Sequence, residues 1–246
     1  EVLGGVTGRS PQKTGPLLVA AAITAAALLP VCRMSRIQAP RISGSRWPRG
    51  PFFARFFLAI TVWNLATGAF NPFFNLVLEK HAGFSVTAIG GVFSISQAVQ
   101  TLTVLAAPWL FRRIGIVGGI TATQVAAGAA LVLLARAAGV WSVGLLYVLY
   151  MAFQWMSEPG LHSLLMSRTP EQQRPGASAM NYTVLFLCHA IAAALSGEWL
   201  AEAGYNAVIS FAGLLAIAGG VLFWLLLHSG APEPVARSST ASIDSE

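Results

Sequence analysis

The amino-acid sequence predicts an all-α integral membrane protein with about seven transmembrane helices. Three observations lead to this fold class. Hydrophobic residues make up 55% of the chain and charged residues only 10%, whereas a soluble domain carries roughly a quarter charged residues. The apolar residues form continuous runs rather than an alternating pattern, which disfavours a transmembrane barrel. Short polar segments separate the runs and contain most of the basic residues.

Seven apolar runs are candidates to cross a bilayer core of about 30 Å. The first is the shortest and consists mostly of alanine, leucine and valine. Helices are expected because a helix satisfies its own backbone hydrogen bonds in lipid. In chain order, the predicted spans are residues 16–31, 52–78, 84–110, 116–135, 140–166, 176–200 and 205–227. Glycines such as Gly128, Gly213 and Gly219 are predicted to permit close helix packing.

The remaining segments complete the predicted organisation. Residues 1–15 are predicted to be an external loop remnant, and residues 32–51 a flexible cytoplasmic loop because they contain several prolines and glycines. Residues 52–228 are predicted to form one six-helix unit. Residues 229–246 are polar and are predicted to be a disordered cytoplasmic tail. The chain begins at Glu1 rather than Met, so we expect a fragment or a product that has lost its start.

Orientation follows from the basic residues, because short cytoplasmic loops carry an excess of Lys and Arg. Four basic residues fall on one predicted side, and eleven fall on the other: Arg33, Arg36, Arg41, Arg46, Arg49, Arg55, Arg112, Arg113, Arg168, Arg174 and Arg237. We therefore expect the second side, and with it the C-terminus, to be cytoplasmic.

A net charge of +6 suggests nucleic-acid binding in a soluble protein. No basic stripe with interleaved aromatic residues is present here, so no nucleic-acid partner is predicted.

Two short stretches carry a family resemblance. Residues 108–116 read PWLFRRIGI, in which Leu110, Arg113 and Gly115 match a loop of the form G-x-L-x-D-R-x-G-R. This loop is typical of the major facilitator superfamily, where it lies between the second and third helices and, as a weaker copy, between the eighth and ninth. Arg112 stands where the family has an acid. Residues 170–177 are similar to the P-x-x-x-R-G-x-A loop between the tenth and eleventh helices of that family.

The order of the segments also resembles that family, whose fold has two six-helix halves joined by a long cytoplasmic loop. Here one span, a long basic loop and six further spans correspond to helices six to twelve. The resemblance implies part of a secondary transporter that moves a small solute by alternating access, with proton coupling as one option. It implies three partners: the lipid bilayer, a missing N-terminal half and a small-molecule substrate of unknown class. It also implies a multi-pass location in the plasma or inner membrane, and no cofactor.

Polar residues inside a span are costly and usually face a cavity or another helix. The second predicted span carries four at helical spacing: Asn64, Thr67, Asn71 and Asn75. They are predicted to share one face, which either lines a transport path or forms interhelical hydrogen bonds. Pro72 follows Asn71 and predicts a local break in this helix.

The third predicted span presents the same alternatives on a face that contains Ser94, Gln97 and Thr101, with Gln100 beside it. At the end of this span, Leu110, Arg113 and Gly115 are predicted by the resemblance to form a cytoplasmic gating loop. His189, in the middle of the sixth predicted span, is a candidate for proton coupling, with a hydrogen-bonded structural role as the alternative.

Gln154 and Glu158 lie four residues apart in the fifth predicted span, with His162 four residues further on, so all three face one way. Glu158 is the one acid well within a predicted span, where a charge costs about 2.5–3.5 kcal/mol on insertion scales. We therefore expect its carboxyl group to be paired, protonated or near water. It either binds substrate or a coupling proton, or it forms a structural pair with Arg168 or His162.

Three other protein classes remain as alternatives. A seven-helix receptor fits the span count, although the long basic loop after the first span is unexplained, and a retinal protein needs a lysine deep in a helix, which is missing. An intramembrane enzyme is disfavoured because the chain has no H-E-x-x-H or G-x-S-x-G motif and no Asp in a predicted span. A structural membrane subunit is disfavoured only mildly, by the polar residues in the spans.

Overall fold

The computed structural model describes residues 25–26 and 47–228 of the 246-residue chain. Residues 44–246 form one compact unit, and residues 1–43 form another, of which the helical residues 25–26 are described. Most of the predicted span 16–31, the predicted loop remnant 1–15, residues 32–46 of the predicted cytoplasmic loop and the predicted tail 229–246 lie outside the described residues.

Six helices of the larger unit are long and apolar enough to cross a membrane. They are α1 (Pro51–Phe70, with an irregular continuation to Lys80), α2 (Val86–Ile114), α3 (Ile116–Leu134), α4 (Val140–Ser167), α5 (Arg174–Ala203) and α6 (Tyr205–Leu227). Their bounds agree within a few residues with the last six predicted spans. The predicted all-α membrane fold class is confirmed for the part of the chain that is described.

The connection between α2 and α3 differs from the prediction, which placed a loop at residues 110–115. Helix α2 continues through both arginines to Ile114, and α3 begins at Ile116, so Gly115 alone is non-helical. Its φ of 77° lies in the left-handed region that favours glycine. Leu110 and Arg113 therefore belong to the last turns of a helix and not to a loop. A helix can include arginines near its end because their long side chains can reach the membrane surface.

Helix α1 loses its regular form at the predicted position. The regular helix ends at Phe70, and a 3₁₀ turn follows at Asn71–Phe73, with Pro72 inside it. A π-helical turn at Val77–His81 ends the span. Proline has no backbone N–H and cannot continue the α-helical hydrogen-bond pattern, which explains the break.

The packing order of the six helices leaves two of them at the ends of the unit. Helices α3 and α6 pack against each other, α6 also packs against α1, and α3 against α4. Helix α5 packs mainly on α1, and α2 mainly on α4. In the apolar windows of α2 and α5 only 6% and 17% of residues are buried, against 44% to 61% in the other four helices.

Glycines allow the closest helix contacts, as predicted. A Cβ added to Gly128 of α3 would lie 2.7 Å from the carbonyl oxygen of Gly213 in α6. A Cβ on Gly219 of α6 would lie 3.1 Å from the backbone nitrogen of Trp63 in α1. Helices α1, α3 and α6 are therefore held at distances that a larger residue at these positions would not permit.

Candidate functional site

The polar residues predicted on α1 fall into two environments. Asn64 and Thr67 are buried and Asn71 is half-buried, whereas Asn75 is exposed. Asn75 lies beyond the 3₁₀ turn that begins at Asn71. A 3₁₀ turn advances through fewer residues per turn than an α-helix, so the single face predicted for all four residues is interrupted before Asn75.

Two of these residues form side-chain hydrogen bonds with neighbouring helices. Thr67 Oγ1 lies 3.0 Å from Nε2 of His189 in α5. The Tyr150 hydroxyl of α4 donates a 2.6 Å hydrogen bond to Oδ1 of Asn71. The alternative of interhelical hydrogen bonding is therefore observed for Thr67 and Asn71, and α1 is joined at mid-span to both α4 and α5.

A close backbone contact supports the bond between α1 and α5. A Cβ added to Gly68 would lie 2.7 Å from the His189 Cα and 3.0 Å from its Cδ2. Glycine at residue 68 therefore lets α5 approach closely enough for the neighbouring Thr67 to reach the His189 ring.

The predicted polar face of α4 carries Gln154, Glu158 and His162. Gln154 is buried, and its Oε1 has no hydrogen-bond partner among the described residues. Glu158 and His162 follow at one-turn intervals, and both are half-buried. Neither the predicted ion pair of Glu158 with Arg168 nor one with His162 is found in the described part of the chain. The guanidinium of Arg168 instead lies 5.6 Å from the centre of the Phe52 ring.

Helix α5 faces this part of α4 with aromatic side chains. The His162 and Tyr182 ring centres are 6.0 Å apart, and Tyr182 stacks on Phe186 at 6.3 Å. Tyr182 is 47% exposed and Phe186 is 67% exposed. We refer to the polar residues of α1 and α4 and the neighbouring residues of α5 as the central cluster: Thr67, Asn71, Tyr150, Gln154, Glu158, His162, Tyr182, Phe186 and His189.

The predicted α2 residues lie outside the central cluster. Gln97 and Thr101 are exposed, as is Ser94. The Thr101 hydroxyl donates a 2.9 Å bond to the Gln97 carbonyl of its own helix, and Ser94 donates to the Gly90 carbonyl at 2.9 Å. Within the described residues, these side chains bond only to their own helix, and this polar face is turned away from the core.

The predicted gating residues lie at the end of the bundle that holds the start of α1. Arg113 places its guanidinium 4.5 Å from the centre of the Trp109 ring, an arrangement in which a cation meets an aromatic face. Gly115 forms the one-residue link to α3. These residues are separate from the central cluster, and their gating role stays a prediction.

Sequence reasoning missed two polar residues. Tyr150 lies in an apolar run, where the only signal is that a buried tyrosine hydroxyl usually has a partner. Gln124 of α3 is fully buried, and both of its amide atoms lack a hydrogen-bond partner within the described ranges. A glutamine in the middle of an otherwise apolar span was the available signal.

A protein-family model matches most of the chain. The model of the Major Facilitator Superfamily matches residues 52–244, a range that holds all six described spans. The chain belongs to the major facilitator superfamily. Members of this superfamily are membrane transporters rather than enzymes, and the family resemblance is thereby confirmed. No curated protein matches the chain. This superfamily chain is a multi-pass membrane protein whose apolar helices contact the lipid bilayer.

Proposed function

We propose that this superfamily chain forms one half of a secondary transporter, which moves a small solute by alternating access along the central cluster. The observation that carries the proposal is the meeting of polar side chains from α1, α4 and α5 at mid-span. Polar groups at this depth are costly in lipid and mark substrate or ion pathways in membrane proteins. Binding sites of secondary transporters lie near the bilayer midplane.

The low burial of α2 and α5 supports a second half as partner. The exposed polar face of α2, with Gln97 and Thr101, would be costly against lipid tails. Exposed polar residues on a span are expected to meet protein or water. We therefore assign this face and the exposed face of α5 to contacts with an N-terminal half and to the wall of the solute path.

Glu158 and His189 are the proposed sites of proton coupling. Both are titratable, and they lie on two helices that border the same cluster. Glu158 has no ion-pair partner in the described part of the chain, so gain or loss of its proton changes the net charge of the path. The Thr67 hydroxyl lies beside the His189 ring, and the hydrogen bond between them depends on the protonation state of the ring.

The proposed orientation places Arg55, Arg113 and Arg168 on the cytoplasmic side of the plasma or inner membrane. This orientation rests on the excess of basic residues at one end of the spans. It puts Glu79 and Glu198 outside and the C-terminus inside.

The path is tested by thiol reactivity in membranes. Cys32 and Cys188 are first replaced by Ala, and Asn71→Cys is compared with Leu214→Cys, which lies exposed on the apolar helix α6. A membrane-impermeant, anionic methanethiosulfonate that carries a sulfonate group is expected to modify Asn71→Cys at least about tenfold faster than Leu214→Cys. The reactive species is the thiolate, which forms only where water is present. Equal rates for the two variants would contradict a water-filled path at Asn71.

A further inference from the structure

We propose that the substrate is an organic cation, with the Glu158 carboxylate as its counter-charge and the Tyr182 and Phe186 rings as its aromatic surface. This substrate class rests on the proposed transport function and names what the central cluster binds. It is argued from the charges of the spans, the position of Glu158 and the exposed rings of α5.

The charge distribution of the described helices favours a cation. Glu158 is the one charged residue within them that lies more than about two turns from a helix end. The basic residues lie near the ends, as Arg55 does in α1 and Arg174 in α5. An anionic substrate at mid-span would therefore meet a carboxylate and no Lys or Arg of the described helices. A cationic substrate meets an opposite charge.

The Glu158 carboxylate has no partner among the described residues. It is half-buried in a span and makes no ion pair or hydrogen bond with a described residue. Charged groups inside membrane proteins usually pair with an opposite charge. The unpartnered Oε1 of Gln154, one turn away on the same face, adds a second electron-rich oxygen. A bound cation would be attracted by both groups.

The exposed rings lie on α5, the helix that follows α4 in the chain. His162 is 6.0 Å from Tyr182 between ring centres, which fixes the level of α4 relative to α5. Helices α4 and α5 are consecutive spans and run in opposite directions. Moving from His162 to Glu158 along α4 therefore goes the same way across the membrane as moving from Tyr182 to Phe186 along α5. Four residues of an α-helix rise about 6 Å. We therefore place Phe186 at about the level of Glu158, where its ring face can attract a cation.

The test measures binding of two probes with the same shape and opposite charge. The full chain is reconstituted in phosphatidylcholine nanodiscs, and equilibrium binding of radiolabelled tetraphenylphosphonium and tetraphenylborate is measured, with empty nanodiscs subtracted. The phosphonium is expected to bind saturably and the borate is not. Glu158→Gln is expected to weaken phosphonium binding at least about tenfold, Glu158→Asp less than about threefold, and the matched control Glu198→Gln not at all.

Equal binding of the two probes, or unchanged phosphonium binding by Glu158→Gln, would overturn the proposal. If Glu158→Gln does not fold, Phe186→Leu decides, because loss of the ring is expected to weaken phosphonium binding several-fold with the carboxylate retained. Unchanged binding by that variant overturns it too. The thiol test at Asn71 uses no cation, so a reactive Asn71→Cys without phosphonium binding would reject the substrate class and leave the transport path standing.

Discussion

Replacing Gly68 by Ala is predicted to separate α5 from α1 and to break the bond between Thr67 and His189. The added Cβ would lie 2.7 Å from the His189 Cα, and ordinary contact begins at 3.4 Å. The difference between these distances requires α5 to move by about 0.7 Å. The distance between Thr67 Oγ1 and His189 Nε2 then rises from 3.0 Å to as much as about 3.7 Å, beyond hydrogen-bond range.

The expected cost combines two effects. Overpacking of a tight interface costs about 1–3 kcal/mol. An interhelical hydrogen bond in a membrane contributes about 0.6 kcal/mol on average. Alanine favours the helix over glycine by roughly 0.5–1 kcal/mol, so we expect Gly68→Ala to lower the free energy of unfolding by about 1–3 kcal/mol in net. The measurement is reversible unfolding of the reconstituted chain in mixed micelles, with Thr67→Val in a double-mutant cycle. Because Gly68→Ala already breaks the bond, Thr67→Val is expected to cost less in that background than alone.

The matched control is Gly90→Ala in α2. A Cβ at Gly90 would meet no heavy atom within 4 Å, and alanine favours a helix over glycine by roughly 0.5–1 kcal/mol. Gly90→Ala is therefore expected to be neutral or stabilising. The reasoning is refuted if Gly68→Ala is as stable as the unsubstituted chain, or if the two glycine variants behave alike.

Three further substitutions test the remaining contacts. Tyr150→Phe removes the hydroxyl that bonds to Asn71 and is expected to cost about 0.6–1.7 kcal/mol of unfolding free energy; a double-mutant cycle with Asn71→Leu that shows no coupling would contradict the bond. Gly115→Ala is expected to cost more than about 1 kcal/mol because of its positive φ, and an unchanged melting temperature would argue against the one-residue link. Gly128→Ala is expected to cost about 1–3 kcal/mol, since its Cβ would lie 2.7 Å from the Gly213 carbonyl oxygen; chemical denaturation measures this, and a stabilised variant would be inconsistent with that contact.

The spans were predictable from the sequence because their signal is local. Length and hydrophobicity are enough to place a helix in a bilayer, and the predicted and observed bounds of α6 are identical at Tyr205–Leu227. The break at Pro72 was also predictable, since it follows from the missing backbone N–H of one residue. The end of α2 was not, because the charges of Arg112 and Arg113 and the resemblance to a family loop both assigned these residues to a loop.

The partners inside the bundle depend on packing between distant segments. Tyr150 and Asn71 are 79 residues apart in the chain, and no spacing rule within one helix pairs them. Thr67 and Asn71 were predicted to share a polar face, but the choice between lining a path and bonding across helices was open. The structure shows bonds for both residues, and the path along the same face is the proposal that the thiol test examines.

The most direct test of the central claim, that this chain is one half of a transporter, is native mass spectrometry of the polypeptide purified from its source membrane. The sequence alone accounts for 25.9 kDa. The proposal predicts a heavier particle, either a longer polypeptide with about five more helices or a complex with a second membrane polypeptide that supplies the other half. A lone 25.9 kDa species with no other polypeptide bound would contradict it.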